Sequence, residues 1–169
     1  AGEEPDGGRI QRPEGSIEAF LPGEREPALG EDVVLEAVYE RLGDITAAIE
    51  VLNRVGLADA VLYRARPFEL STGQKERFRI ALLLAARPDL LLIDELAAHL
   101  DLAHARRLAR NLAAFVREAG ITLVAATHRM EVKEALSPDQ VYVGYGSVWA
   151  ERGRPPKGLP QRNPYNTKN

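Results

Sequence analysis

Cysteine is absent from this chain of 169 residues, which excludes disulfides, zinc–thiolate sites and a cysteine nucleophile. The chain also lacks any apolar run close to the ~20 residues needed to span a bilayer, and no signal peptide is visible. Neither sign of charge dominates, and the formal net charge of −3 gives no clear electrostatic basis for binding nucleic acid or an anionic membrane surface. These absences together favour a cytoplasmic location.

Hydrophobic residues make up 45% of the chain and charged residues 28%, which predicts one soluble globular domain with a buried core. Met130 is the only methionine, and the chain starts at Ala1. We therefore expect a fragment of a longer protein or a processed product.

The most informative stretch is residues 70–101, with the sequence LSTGQKERFRIALLLAARPDLLLIDELAAHLD. Ser71 precedes a helical run and Gln74 stands three residues later, which is the spacing of a capping box. The predicted helix covers residues 72–86 and ends before Pro88, because the residue before a proline is disfavoured in the α region. Backbone N–H groups at such a helix start point outward and favour a phosphate ligand.

A pair of acids follows a short apolar run in this stretch. Residues 90–93 are too few for a helix between such breakers and predict a buried parallel strand. This strand places Asp94 and Glu95 at its carboxyl end, where open α/β sheets bind their ligands. A second apolar strand is predicted at residues 121–126, and His128 follows it.

Three motifs resemble those of ATP-binding cassette (ABC) ATPases. LSTGQ at residues 70–74 resembles the signature motif, usually LSGGQ, and LLLIDE at residues 90–95 resembles the Walker B strand with its catalytic glutamate. HLD at residues 99–101 resembles the D-loop, and His128 stands where the family has its H-loop histidine. The order and spacing of the motifs match those of the family, which makes the combination far more specific than any one motif.

The resemblance implies an α/β fold of the P-loop NTPase class, with an ABC-type core of mostly parallel sheet and a small helical subdomain. It implies that ATP and Mg²⁺ are bound and that ATP is hydrolysed at the interface of a head-to-tail dimer. Asp94 would hold the magnesium, Glu95 would act as general base toward the attacking water, and His128 would contact the γ-phosphate and that water. The second ABC subunit is expected to be an identical copy.

Other residues are implied to act across the dimer interface. Ser71, Gly73 and Gln74 would bind the γ-phosphate of the ATP held by the second subunit. Asp101 in the D-loop would link the two sites. Thr72 replaces the usual glycine, and its side chain leaves less room for the γ-phosphate to approach the backbone of the turn.

The chain departs from the family pattern in two places. The phosphate loop G-x-x-x-x-G-K-[ST] does not occur in the sequence. Residues 1–10 resemble the segment after the Walker A helix, which would put that loop about 15–20 residues before Ala1. Where the family has its Q-loop glutamine, this chain has PGERE at residues 22–26, in which Glu24 is either a metal-facing substitute or a solvated loop acid.

We expect an ABC-type domain at residues 1–150 and a polar, mobile tail at residues 151–169. Residues 1–30 and 87–150 would form the core, and residues 31–86 the helical signature subdomain, the usual docking face for a membrane or fused partner domain. The remaining predicted elements are a strand at 16–21, helices within 31–66, a helix at 102–119, and a hairpin of strands 141–145 and 148–150. His99 and His104 are interpreted as structural or incidental.

Two alternatives remain open at this point. Without a phosphate loop, the chain could be a catalytically silent ABC-like interaction module. The parent protein could instead be the nucleotide-binding subunit of a membrane transporter rather than a soluble ABC protein. PGERE, LSTGQKER and VYVGYG are most similar to archaeal soluble ABC-type ATPases, some of which are fused to an acetyltransferase domain.

Overall fold

Three parallel strands form the sheet at the centre of the computed structural model, which describes residues 14–144 and 148–152. The strands are β1 (Ile17–Phe20), β2 (Leu90–Ile93) and β3 (Thr122–Ala125), in the spatial order β1–β2–β3. Ile17 lies beside Leu90, and Leu90 lies beside Thr122. The predicted parallel strand at residues 90–93 is therefore confirmed, and the structure makes it the middle strand of the three.

Six helices accompany the strands within the described residues. They are α1 (Val34–Leu42), α2 (Ile45–Arg54), α3 (Ala60–Tyr63), α4 (Thr72–Ala85), α5 (Leu102–Ala119) and α6 (Met130–Leu136), with a 3₁₀ turn at Pro67–Glu69. The predicted helices at 72–86 and 102–119 are confirmed to within one residue. None of the described helices has the length and apolar character needed to cross a membrane.

Helix α4 is the centre of the hydrophobic core. Its residues are buried on nearly every side from the second turn onward, as expected for a helix enclosed by other elements. It packs against α1, α2 and β1. The largest fully buried side chains of this helix are Phe78, Ile80, Leu82, Leu83 and Leu84.

Helix α2 is tied to α5 by polar contacts, which fixes the helical region against the sheet side of the molecule. The Arg54 guanidinium donates to Glu118 at 2.8 Å and to Glu50 at 3.2 Å. The Asn111 side chain donates to the carbonyl of Arg54 at 2.9 Å. The glutamates are largely exposed, so the ion pairs themselves add little stability, and their role is orientation.

Helix α5 leads directly into β3. Gly120 follows the helix with φ +72°, a left-handed conformation that glycine adopts without the strain of a side chain. The backbone reverses there, and Ile121 N–H bonds to Val116 O at 2.8 Å. The start of β3, the strand that precedes His128, is thus determined by the glycine that ends α5.

A separate antiparallel hairpin consists of β4 (Gln140–Gly144) and β5 (Val148–Arg152), as predicted. Strand β5 continues to Arg152, so Glu151 and Arg152 pair with β4 and are not part of a tail. The tail prediction was wrong for these two residues, because strand pairing can extend beyond the apolar residues that mark a strand in sequence. The rest of the predicted tail and residues 1–10 lie outside the described residues.

Candidate functional site

Two loops meet at the carboxyl edge of the sheet. The β2–α5 loop covers residues 94–101, and the β3–α6 loop covers residues 126–129. Ala126 N–H bonds to Ile93 O at 2.9 Å, and Leu96 N–H returns to Ala126 O at 3.0 Å. The two loops therefore leave the sheet side by side.

These loops carry the three residues predicted to manage the metal and the water. Asp94 and Glu95 begin the β2–α5 loop, His128 lies in the β3–α6 loop, and all three are exposed. The Asp94 N–H bonds to Phe20 O at 2.9 Å, which places the end of β1 at the same edge. The structure thus brings the three segments together at the predicted edge.

The backbone of the β2–α5 loop is held in an unusual conformation. Glu95 has φ +52° and Ala97 has φ +64°, the left-handed region that non-glycine residues rarely adopt. The Glu95 N–H bonds to the Asp94 side chain at 3.0 Å. A conformation of this kind persists only where the surroundings determine it, and such positions cluster at functional sites.

Two charged side chains, one from α4 and one from the β3–α6 loop, bond to the backbone of the β2–α5 loop. Glu76, on α4, accepts N–H bonds from Ala97 at 2.9 Å and His99 at 3.3 Å. Arg129 donates to the carbonyls of Ala97 at 2.8 Å and Leu100 at 2.6 Å. Burial raises the pKa of the Glu76 carboxyl, and this effect outweighs the bonds from His99 and Ala97, which lower it.

The signature turn, residues 71–74, begins α4 and is exposed at Ser71 and Thr72. The predicted capping box is present: Gln74 N–H bonds to Ser71 Oγ at 3.3 Å, and Ser71 N–H bonds to Gln74 Oε1 at 2.8 Å. The Arg77 side chain holds the turn in place by donating to the carbonyls of Gly73 at 3.1 Å and Gly56 at 2.6 Å. The turn therefore faces solvent with its backbone fixed.

Gly73 lies directly against the β2–α5 loop. A Cβ at this position would be 2.8 Å from Leu100 Cδ2 and 3.3 Å from His99 O. Only glycine leaves room for this approach. The signature turn and the β2–α5 loop of the same chain are thus in direct contact.

Asp101 is the N-cap of α5. Its carboxylate accepts the His104 N–H at 3.0 Å, and its other oxygen contacts the His104 ring. Both bonds lower the pKa of the Asp101 carboxyl, and the bond from the backbone N–H has the larger effect. His104, to which the sequence assigned no role, is therefore a partner of a predicted site residue.

The turn after β1 contains PGERE. Glu24 is exposed, and its N–H bonds to Leu21 O at 3.1 Å. Glu26 accepts the Gly23 N–H at 3.0 Å and pairs with Arg79 of α4 at 2.8 Å. Glu26, and not Glu24, is thus the acid that links this turn to the signature helix.

The acids of the carboxyl edge fit a magnesium–nucleotide site better than a metal site made by the protein alone. In the part of the chain that the structure describes, no three His, Asp or Glu side chains are grouped to hold an ion. Mg²⁺ usually keeps several waters and takes one or two carboxylates together with substrate phosphates. Asp94, exposed at the end of a rigid strand, suits that arrangement.

Nothing in the sequence indicates that Glu76, Arg129 or Glu26 holds a loop. Glu76 stands in the charged run QKERFR, which is typical of a solvated helix face, and Arg129 and Glu26 stand in polar loops. Their hydrogen-bond partners are distant in sequence, except for Gly23. The packing of α4 against the loops reveals Glu76 and Glu26, and the meeting of the β2–α5 and β3–α6 loops reveals Arg129.

A family model described as "AAA domain, putative AbiEii toxin, Type IV TA system" matches residues 12–132. The methionine import ATP-binding protein MetN of Bradyrhizobium diazoefficiens is 42% identical over 106 residues, which are 62% of this chain and 30% of that protein. MetN 2 of Rhodococcus jostii is also 42% identical, over 59% of this chain and 28% of that protein. The matched region therefore spans less than a third of the length of these two curated relatives.

Solved structures of ABC proteins share the fold. The complex of archaeal ribosomal stalk protein aP1 and the ribosome recycling factor aABCE1 gives a TM-score of 0.70 with 24% identity, over 90% of this chain and 30% of that chain. The dimeric structure of a bacterial ABC transporter cassette gives 0.60 with 21% identity, over 75% of this chain and 57% of that chain. Since the family model matches well over half of the chain, and motifs, relatives and fold agree, the chain belongs to the AAA/ABC-type ATPase family and has a P-loop NTPase fold.

Proposed function

We propose that the protein containing this chain binds and hydrolyses ATP at the interface of a head-to-tail dimer. This chain would supply the signature turn, Walker B, D-loop and H-loop, and a phosphate loop would come from sequence beyond these 169 residues. The observation that carries the proposal is the meeting of the two loops that bear Asp94, Glu95 and His128 at one edge of the parallel sheet.

The acids and the histidine have separate roles in this proposal. Phosphoryl transfer depends mainly on positioning and charge neutralisation. Asp94 would bind Mg²⁺, which neutralises the charge of the phosphates when bound. Glu95 would hold the attacking water and take its proton, and His128 would contact the γ-phosphate and the same water.

The hydrogen bonds of the signature turn support a role in binding phosphate. Ser71 Oγ and Gln74 Oε1 both act as acceptors within the capping box. The hydroxyl proton of Ser71 and the side-chain NH₂ of Gln74 therefore remain to donate outward. The N–H groups of Thr72 and Gly73, at the first helical positions, have no intrahelical acceptor and suit a γ-phosphate held by the second subunit.

In the head-to-tail dimer, the two groups of site residues on one chain would act on different ATP molecules. The signature turn would serve the ATP of the second subunit, and the acids would serve the chain's own ATP. Asp101 would lie at the interface between the two. The similarity in fold to a dimeric transporter cassette agrees with this arrangement.

The test uses the protein with its phosphate loop. Glu95→Gln should abolish ATP turnover and leave ATP-driven dimerisation, because the amide cannot accept the proton of the water. Ser71→Arg should prevent dimerisation and spare nucleotide uptake, because the large cation fills the face of the turn. Glu36→Gln, the same chemical change at an exposed position of α1, is the matched control.

Two results would contradict the proposal. Turnover that survives Glu95→Gln would reject the role of this acid. Dimerisation that is unchanged in Ser71→Arg would reject the action of the turn on a second subunit. If the intact protein binds no ATP, the silent interaction module becomes the better interpretation.

A second candidate is the nucleotide-binding subunit of a transporter. It is favoured by the 42% identity to methionine import ATP-binding proteins. The region at residues 31–86, proposed as the helical subdomain, also presents Val61 and Phe68, which are 73% and 74% exposed. Co-purification of the intact protein with a membrane subunit, lost in Phe68→Ser, would favour this candidate over a soluble ATPase.

A further inference from the structure

Glu76 uses a buried carboxylate to hold the backbone of a loop. It is 3% exposed, although it stands in a charged run near the start of α4. Its two oxygens accept N–H bonds from Ala97 and His99. The ring of His99, with Nδ1 at 3.4 Å, is the ionisable group paired with it.

Burial of a carboxylate is unfavourable unless hydrogen bonds replace the lost water. An apolar side chain at this position of α4 would fill the same space without that cost. It would, however, leave the N–H groups of Ala97 and His99 without acceptors inside the protein. The acid is therefore matched to the backbone of this one loop conformation.

The loop conformation needs such support. Glu95 and Ala97 are both in the left-handed region, and neither is glycine. Glu76 accepts from N–H groups of the loop, and Arg129 donates to the carbonyls of Ala97 and Leu100. Without either side chain, we expect the loop to adopt a more common backbone conformation. Glu95 would then point in a different direction.

Glu76 also connects the two groups of site residues. It lies on the first turns of α4, the helix that begins with the signature turn. Through Ala97 it holds the loop that begins with Asp94 and Glu95. Arg129, which holds the same loop, is adjacent in sequence to His128.

We propose that Glu76 is a positioning residue for ATP hydrolysis: it fixes the β2–α5 loop so that Glu95 faces the water at its own site while the loop stays against the signature turn. This inference rests on the function proposed above. Glu76 touches neither nucleotide nor metal in this scheme. It acts through the backbone of Ala97 and His99.

The experiment compares E76Q and E76A with the Glu36→Gln control in the protein with its phosphate loop. We expect kcat to fall by about 10- to 100-fold in E76A, since small misplacements of a catalytic group have effects of this size. KM for ATP should stay unchanged, because the phosphate loop supplies most of the nucleotide binding. E76Q should lie between wild type and E76A, because its amide keeps one acceptor oxygen and places an NH₂ group against the other N–H.

Amide hydrogen exchange at Ala97 and His99 gives a second measurement. Exchange should be faster in E76Q and E76A and unchanged in Glu36→Gln. A purely structural role would lower the folded fraction but leave kcat per folded molecule at the wild-type value, and that result would overturn the proposal. So would wild-type exchange rates at both amides in E76A.

The two proposals fail in different ways. If wild type hydrolyses ATP and E76Q and E76A have its kcat, the positioning role is wrong and the proposed function stands. If wild type neither binds nor hydrolyses ATP, the proposed function is wrong and the positioning role falls with it.

Discussion

Replacing Gly73 by alanine adds one methyl group where the signature turn contacts the β2–α5 loop. The new Cβ would lie 2.8 Å from Leu100 Cδ2 and 3.3 Å from His99 O. Leu100 is only 8% exposed, so its side chain cannot move freely into solvent. The second contact is backbone, and it gives way only if the loop itself shifts.

Two opposing effects set the magnitude. Alanine is more favourable than glycine in a helix interior by about 1 kcal/mol, and less at the second position of α4. Overpacking of this kind costs about 1–3 kcal/mol. We expect Gly73→Ala to lower the free energy of unfolding by roughly 1–2 kcal/mol, which corresponds to a fall in Tm of about 2–4 °C per kcal/mol for a domain of this size.

Denaturant unfolding measures this difference, with an unchanged m-value as the sign that only stability has changed. Thr72→Ala is the matched control, because Thr72 is exposed and adjacent in the same turn. It should be neutral or slightly stabilising, since alanine has the higher helix propensity.

A double-mutant cycle with Leu100→Val tests the cause. Leu100→Val removes the atom nearest the new methyl group, so Gly73→Ala should cost less in that background. Simple additivity of the two substitutions would refute the steric explanation. A Gly73→Ala variant as stable as Thr72→Ala would refute it as well.

Three further predictions concern caps and charges. Ser71→Ala removes the acceptor for the Gln74 N–H and should lower the free energy of unfolding by about 1 kcal/mol in urea unfolding. Burial raises the pKa of Glu76, so the contribution of this group to the free energy of unfolding is fully present below the unfolded pKa, near 4.5, and is lost as pH rises through the folded pKa. E76Q should remove this pH dependence from unfolding curves measured at a series of pH values. The lowered pKa of Asp101 has the opposite sign: its stabilisation is present above the unfolded pKa, near 3.8, and is lost as pH falls through the folded pKa, and Asp101→Asn should show a smaller loss on acidification.

Local signals account for the elements that sequence analysis placed well. The start of α4 follows from a capping box within four residues, and its end follows from the proline three residues after Ala85. Strand β2 is bounded by the same kind of nearby breaker and has the four predicted residues. Strand β5 was placed less well, because its last two residues are in the strand through pairing with β4 and not through their own apolar character.

The residues of the candidate site also fall into those that local sequence predicted and those that it did not. Motif order identified the residues at the sheet edge and in the signature turn, because each motif is a short run of neighbouring residues. Glu76, Arg129 and Glu26 were missed, since a side chain that binds the backbone of a distant loop leaves no pattern in its own segment.

By itself, the sequence determined the family of the chain, its main helices and strands, and the loops that carry Asp94, Glu95 and His128. Only the tertiary structure decided that Gly73 touches the β2–α5 loop and that Glu76 and Arg129 hold it. The physical reason is that caps and breakers act over a few residues. The left-handed backbone of that loop is stabilised by groups that come close only when α4 packs against it and when the loops after β2 and β3 meet.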